Sequence, residues 1–170
     1  MVHDAAARGY QASADVYEQA RPGYSDEAVA HLVDGLRLAR GDTVVDVGAG
    51  TGKLTRALVA RGAVAVAVEP VEAMRRIFAS VLPGVPMLGG TAEALPLRRA
   101  GVGAVVIGQA FHWFDAPAAL AEIHRVLRPG GRLGMVWNVR DETVGWVAAL
   151  TRLIDSHVGT GPTFRSGAWQ

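Results

Sequence analysis

Val29, Leu32, Val33 and Leu36 recur at the three-and-four spacing of a helix face in SDEAVAHLVDGLRLAR, with Ser25 placed to cap the first turn. This pattern predicts a helix that Gly41 stops. The period then changes. TVVDV, AVAVAVE and VGAVVIG are short β-branched runs in which polar residues do not alternate with apolar ones, as in strands buried on both faces of a parallel sheet. VPMLGG is a weaker run of the same kind, and GRLGMVWN a later one. Helical patterns separate them: KLTRALVARG, VEAMRRIFASVL, PAALAEIHRVL behind a capping Asp115 and ended by PGG, and finally TVGWVAALTRLIDSHV. Strands alternating with helices predict a doubly wound α/β sheet with right-handed crossovers and a ligand site at the carboxyl ends of the strands. There is no internal repeat, linker or low-complexity stretch.

Composition changes this picture little. The chain of 170 residues is about one domain long, and 50% hydrophobic residues are enough for a sizeable core. No apolar run approaches the roughly 18 residues of a membrane span, and MVHDAAARGY lacks the apolar core of a signal peptide, so the expectation is a soluble, cytoplasmic protein. The absence of cysteine excludes disulfides, thiolate metal sites and a cysteine nucleophile. A net charge of +1, with basic pairs only at Arg75-Arg76 and Arg98-Arg99, gives no nucleic-acid footprint.

The chemistry lies in VVDVGAGTGKLT, Val44 to Thr55. A Walker loop needs a glycine where Val47 stands and a hydroxyl where Leu54 stands. A dinucleotide fingerprint needs its third glycine at position 53, which is Lys53. What remains is Asp46-x-Gly48-x-Gly50-x-Gly52, a loop with an acid before it that repels phosphates and attracts a cationic ligand. Glu69 ends the next strand about 20 residues after Gly48, where a carboxylate can accept from ribose hydroxyls. Together the two acids suit both ends of S-adenosylmethionine; the alternative is a glycine turn with two solvated acids.

VVDVGAGTGKLT, VAVEP, GGTAEALPL, VVIGQAFHWFD and EIHRVLRPGGRL, in this order and spacing, resemble the class I S-adenosylmethionine-dependent methyltransferases, particularly their small-molecule, type 11-like group. The resemblance runs as far as Asn138 and implies a Rossmann-like, mainly parallel sheet of order 3-2-1-4-5. It also implies a division into a cofactor-covering segment (1–24, with YEQARPGY), a cofactor-binding core (25–138) and the start of a substrate-covering segment (139–170). The family's final antiparallel strand pair has no counterpart here, so the chain reads as the N-terminal part of a longer protein. The fifth strand, Arg132 to Trp137, would then be an apolar edge covered by the C-terminal segment or by a second copy in a homodimer.

Residue by residue, the resemblance implies that Gly48 and Gly50 approach the amino acid part of S-adenosylmethionine, supported by Asp46, and that Glu69 holds the ribose. Ala92 offers its N–H to adenine and Glu93 its carboxylate to the exocyclic amine, unless Glu93 is a helix-start carboxylate. Gln109 and Ala110 lie along the methionine portion. Arg21 either pairs with its carboxylate or is surface. Phe111, His112 and Trp113 line the acceptor pocket; a ring can shelter the sulfonium, His112 is the one candidate base, and Phe114 is assigned to helix packing.

The strand end after VVIG carries Gln109-Ala110-Phe111-His112 where methylases of exocyclic base amines have Asn/Asp-Pro-Pro-aromatic, which points to a small-molecule acceptor rather than nucleic acid. Metal-dependent relatives need several carboxylates there, whereas only Asp115 is present. The other readings are a noncatalytic adenosine-cofactor binding module and an NAD-dependent oxidoreductase, the latter disfavoured by Lys53.

Overall fold

A computed structural model describes residue 14, residues 16–38 and residues 42–157. The segments 1–13, 39–41 and 158–170 and residue 15, and with them all of GTGPTFRSGAWQ, lie outside the described residues. Five strands form one sheet: β1 (Thr43–Val47), β2 (Val64–Val68), β3 (Met87–Leu88), β4 (Val102–Gly108) and β5 (Leu127–Val136), in the order β3-β2-β1-β4-β5. Every strand pairing is parallel. α1 (Asp26–Leu36) precedes β1, the crossovers carry α2 (Lys53–Ala60), α3 (Glu72–Val81) and α4 (Ala116–Val126), and α5 (Gly145–Asp155) follows β5. This is the doubly wound sheet and the strand order expected from the sequence.

The β-branched runs are buried on both faces because each face receives helices. Val44, Ala104 and Val106 pack with Val29, Leu54 and Leu58 of α1 and α2. Val45, Val47, Val105 and Ile107 pack with Ala119, Ile123 and Val126 of α4. Fully burying one such aliphatic side chain contributes about 1.5–3 kcal/mol, so these two layers hold the strand ends rigidly in register. β5 is an edge: among the described residues it pairs only with β4, and Met135 on it is 38% exposed. No helix among the described residues is long and apolar enough to cross a membrane.

Two boundaries differ from the sequence reading. α1 stops at Leu36, well before Gly41, because Arg37 turns left-handed (φ 52°) and the Arg37 and Leu38 N–H groups donate back to the carbonyls of Asp34 and Val33. PGG does not separate helix from strand. α4 ends at Val126 and Leu127 already pairs with Val102, so Pro129-Gly130-Gly131 lie within β5 at a register irregularity, with Gly130 at φ 77°. The caps at Ser25 and Asp115 are present, accepting from the Ala28 and Ala118 N–H groups.

Candidate functional site

At the end of β1 the chain turns through three left-handed glycines, Gly48 (φ 71°), Gly50 (φ 57°) and Gly52 (φ 91°). Each meets a different environment. A Cβ on Gly48 would lie 2.8 Å from the Ala110 Cβ and 3.2 Å from the Phe114 ring, so this glycine lets the first and fourth strand ends touch. Among the described residues a Cβ on Gly50 would meet nothing within 4 Å, so its backbone faces open space there. A Cβ on Gly52 would lie 2.8 Å from Phe78 and 2.9 Å from Leu82; the close helix packing tested for at position 53 falls on Gly52 instead. The Gly48 and Ala49 N–H groups both donate to the Val68 carbonyl, at 2.8 and 3.2 Å, and so fasten the loop to the end of β2.

The three candidate acids do three different things. Asp46 is 1% exposed and accepts from the Thr55 hydroxyl of α2 at 2.6 Å. Burial pushes its carboxyl up to about 7; the Thr55 hydrogen bond pulls down and the nearby Glu69 charge pushes up again. Glu69, 6% exposed, accepts from the Gly50 N–H through Oε2 and from the Val71 N–H through Oε1, both at 2.9 Å. Burial raises its pKa while those two N–H groups and the Arg75 charge oppose the rise. Arg75 fixes the same corner by donating to the Glu69 and Pro70 carbonyls.

Glu93 accepts from the Asp115 N–H at 3.0 Å, at the cap of α4. Burial pushes it upward, but that amide and the other hydrogen bonds outweigh burial and hold it below the ordinary range. Ala92 is buried beside it, in a turn closed by an antiparallel bridge between Thr91 and Ala94. Glu122 and Arg125 of α4 bolt that turn in place, Glu122 accepting from the Leu95 N–H and Arg125 donating to the Leu95 and Leu97 carbonyls.

Beyond β4, Gln109 holds a left-handed φ of 58°, which is costly for a residue with a side chain. Its backbone N–H donates to Val136 and its amide to the Asn138 carbonyl, while Asn138 donates to the Gly23 carbonyl. The strained corner is thus tied both to β5 and to the segment before α1. Phe111 does not stand open in an acceptor pocket: it is 3% exposed and belongs to the core, edge-to-face with Phe114 at 5.9 Å. Phe114, assigned to packing, is the ring that lies against Gly48. The apolar turn had to commit one ring to the core, and it is the first.

His112 is half-buried, with its ring 5.0 Å from that of Trp113, and its Nδ1 is buried with no hydrogen-bond partner among the described residues. Burial, and next the Arg21 charge, lower its pKa, so the imidazole is neutral at neutral pH. Arg21 is exposed, with its guanidinium carbon 5.5 Å from the centroid of Tyr17. Tyr24 reaches over Gly108 with its hydroxyl, and burial, followed by the Asp46 charge, raises its pKa.

The structure therefore gathers Asp46, Gly48, Gly50 and Glu69 at the ends of β1 and β2, and Gln109, Ala110 and His112 at the end of β4. Sequence reasoning missed Glu18, which contacts Thr51, Lys53 and Arg56, and it missed the Glu122–Arg125 pair. No periodicity or local spacing marks an isolated acid whose partners lie more than thirty residues away, from 33 to 38 positions along the chain. Among the described residues no cluster of His, Cys, Asp or Glu could hold a metal ion.

Comparison with known proteins agrees with this arrangement. The methyltransferase domain family matches residues 45–135. An uncharacterized methyltransferase of Mycobacterium tuberculosis is 50% identical over 138 residues, which cover 81% of this chain and 55% of the relative. Malonyl-[acyl-carrier protein] O-methyltransferase of Methylococcus capsulatus is 37% identical over 131 residues, covering 72% of this chain and 47% of the relative. A solved structure from Anabaena variabilis, assigned as a methyltransferase of an antibiotic biosynthesis pathway, superposes with a TM-score of 0.60 at 31% identity, covering 65% of this chain and 44% of that one. The chain spans about half the length of the curated relatives it matches. With the sheet order, the glycine loop and the family match all falling on one stretch, the chain belongs to the class I methyltransferase family.

Proposed function

We propose that this chain binds S-adenosylmethionine at the carboxyl ends of β1 and β2 and directs methyl transfer to a small-molecule acceptor at the end of β4. The observation that carries the reading is the open space over left-handed Gly50 beside the buried Glu69 carboxylate. The donor set fits the cofactor. Each Glu69 oxygen uses one lone pair on a backbone N–H and keeps another for a ribose hydroxyl. The two acids, Asp46 and Glu69, favour a cationic ligand over a phosphate. When bound, S-adenosylmethionine supplies a methyl carbon made electrophilic by its sulfonium.

The chain's own residues then bind, orient and exclude water. Gly48 and Gly50 let the backbone come close to the amino acid part, and Asp46 adds negative charge beneath it. Gln109 and Ala110 border that part, and Arg21 is the cation available to its carboxylate. Ala92 and Glu93 serve the adenine, Glu93 through the oxygen capacity left after its bond to Asp115. Trp113 offers a ring face to the sulfonium, and Phe111 backs the turn from the core. Neutral His112 can accept a proton from an acceptor that loses one. Orientation is the larger contribution, because the acceptor brings its own nucleophile.

Calorimetry with S-adenosylhomocysteine tests this reading. Wild-type protein should bind and Glu69→Ala should bind more weakly by about 1.5–3 kcal/mol, the range for hydrogen bonds to a charged group. Equal affinity in the two proteins would remove Glu69 from the site.

A further inference from the structure

One side chain fastens the segment before α1 to the glycine loop. Glu18 accepts from the Thr51 hydroxyl at 2.5 Å through Oε2 and from Arg56 at 2.9 Å through Oε1, and Lys53 stands 3.3 Å from the same carboxylate. Lys53 also donates to the Glu18 backbone carbonyl at 2.8 Å, so side chain and main chain are held together. Thr51 is 1% exposed, and the Lys53 and Glu18 side chains are 16% and 20% exposed, so this is no loose surface pair. The Arg56 arm is more exposed, at 45%, and is screened by solvent. The carboxylate also lies at the start of α2, where the helix dipole favours negative charge and Gly52 provides no side-chain cap.

What the contact holds in place is chemically relevant. Residues 16–20 are helical, and the Arg21 N–H donates to the Tyr17 carbonyl at 3.0 Å. Tyr17 and Arg21 therefore flank Glu18 on a single turn, with the Arg21 guanidinium carbon 5.5 Å from the centroid of the Tyr17 ring. Thr51 and Lys53, which the cofactor-binding reading does not use, become the receiving socket.

We infer that Glu18 is a positioning residue: its contacts with Thr51 and Lys53 latch residues 16–24 across the glycine loop and set how long an adenosyl cofactor stays bound. The coupling to cofactor rests on the function proposed above; the latch itself does not. A closed segment must open before a ligand beneath it can leave, so weakening the latch speeds release.

The test has one arm without ligand and one with it. Hydrogen exchange on the free protein should show peptide 16–24 exchanging about tenfold faster or more in Glu18→Ala, the lower end for a lost charge-assisted hydrogen bond, with β1 and β4 unchanged as the folding control. Glu18→Gln keeps an acceptor for Thr51 without the charge and should fall between. Stopped-flow release of S-adenosylhomocysteine should follow the same order. Unchanged exchange in 16–24 would overturn the latch. Faster exchange with unchanged release would overturn its coupling to the cofactor. A wild-type protein that binds no S-adenosylhomocysteine would refute the methyltransfer reading together with the coupling, while the exchange result would still decide the latch.

Discussion

Gly48 and Gly50 are two residues apart, both left-handed, and the structure assigns them opposite reasons for being glycine. At Gly50 an alanine methyl would enter open space, so Gly50→Ala carries only the left-handed penalty of about 1–2 kcal/mol. About 0.4–1 kcal/mol of that is offset by the stiffer unfolded chain. At Gly48 the same penalty is joined by a collision with Ala110, 2.8 Å away and without a rotamer to swing aside, and with the Phe114 ring at 3.2 Å. Overpacking of this kind adds about 1–3 kcal/mol. Urea unfolding of the ligand-free proteins should place Gly48→Ala about 1–3 kcal/mol below Gly50→Ala, the difference being the collision alone. Binding should rank them by another rule. Gly50→Ala, the more stable of the two variants, should lose affinity for S-adenosylhomocysteine because its methyl occupies the space proposed for the ligand. Equal stabilities would refute the packing argument, and full affinity in Gly50→Ala would refute the position of the site.

Asp46→Asn removes a carboxyl whose folded pKa is about 7 against an ordinary 3.8. Between those values the folded protein binds a proton that the unfolded chain has lost, so this group's contribution to stability falls as pH rises. The Asn variant should therefore gain on wild type from about pH 4 to pH 7 in urea unfolding, and a constant difference would contradict the burial argument. In Gly108→Ala the new methyl would overlap the Tyr24 hydroxyl and lie 3.1 Å from Leu54, at a cost of about 1–3 kcal/mol. Displaced toward water, Tyr24 should ionise closer to the ordinary tyrosine value in an ultraviolet titration; an unmoved titration would mean that its burial does not depend on this contact.

The sheet was legible because its signal is local. TVVDV and VGAVVIG coincide with β1 and β4, since runs of valine without polar alternation fit only a strand covered on both faces. Helix ends were less legible. Gly41 is the obvious stop, yet Arg37 takes the left-handed turn, directly after the buried Leu36. The glycine loop and Glu69 could be located from spacing, whereas the direction of each carboxylate could not. Whether Glu93 faces a ligand or the Asp115 amide depends on how the turn 91–97 is pinned by Glu122 and Arg125, and nothing in TAEALPL encodes that. The same holds for Phe111 and Phe114, adjacent rings of one chemistry separated only by which of them the core admits.

The acids at this site share a charge type but not an energetic situation, and the difference explains how an acidic loop can be folded before any ligand arrives. Two carboxylates near one another and nearly dry repel, and each loses hydration. The protein meets these costs differently for each. Glu69 stays ionisable because two backbone N–H groups replace its water, and the one from Gly50 ties that left-handed residue to the end of β2. Asp46 receives one hydroxyl and is pushed up to about 7, so near neutrality it holds its proton part of the time and the repulsion with Glu69 is reduced. A cationic ligand would supply the missing counter-charge and favour the ionised form of both acids. The loop thus stores less unrelieved charge in its free form than two bare carboxylates would, and under the proposed function it would present more negative charge to a cation than to a neutral or anionic ligand. On the proposed function that asymmetry would select by charge before any specific contact is made, and it would follow from Asp46 and Glu69 standing at the ends of adjacent parallel strands.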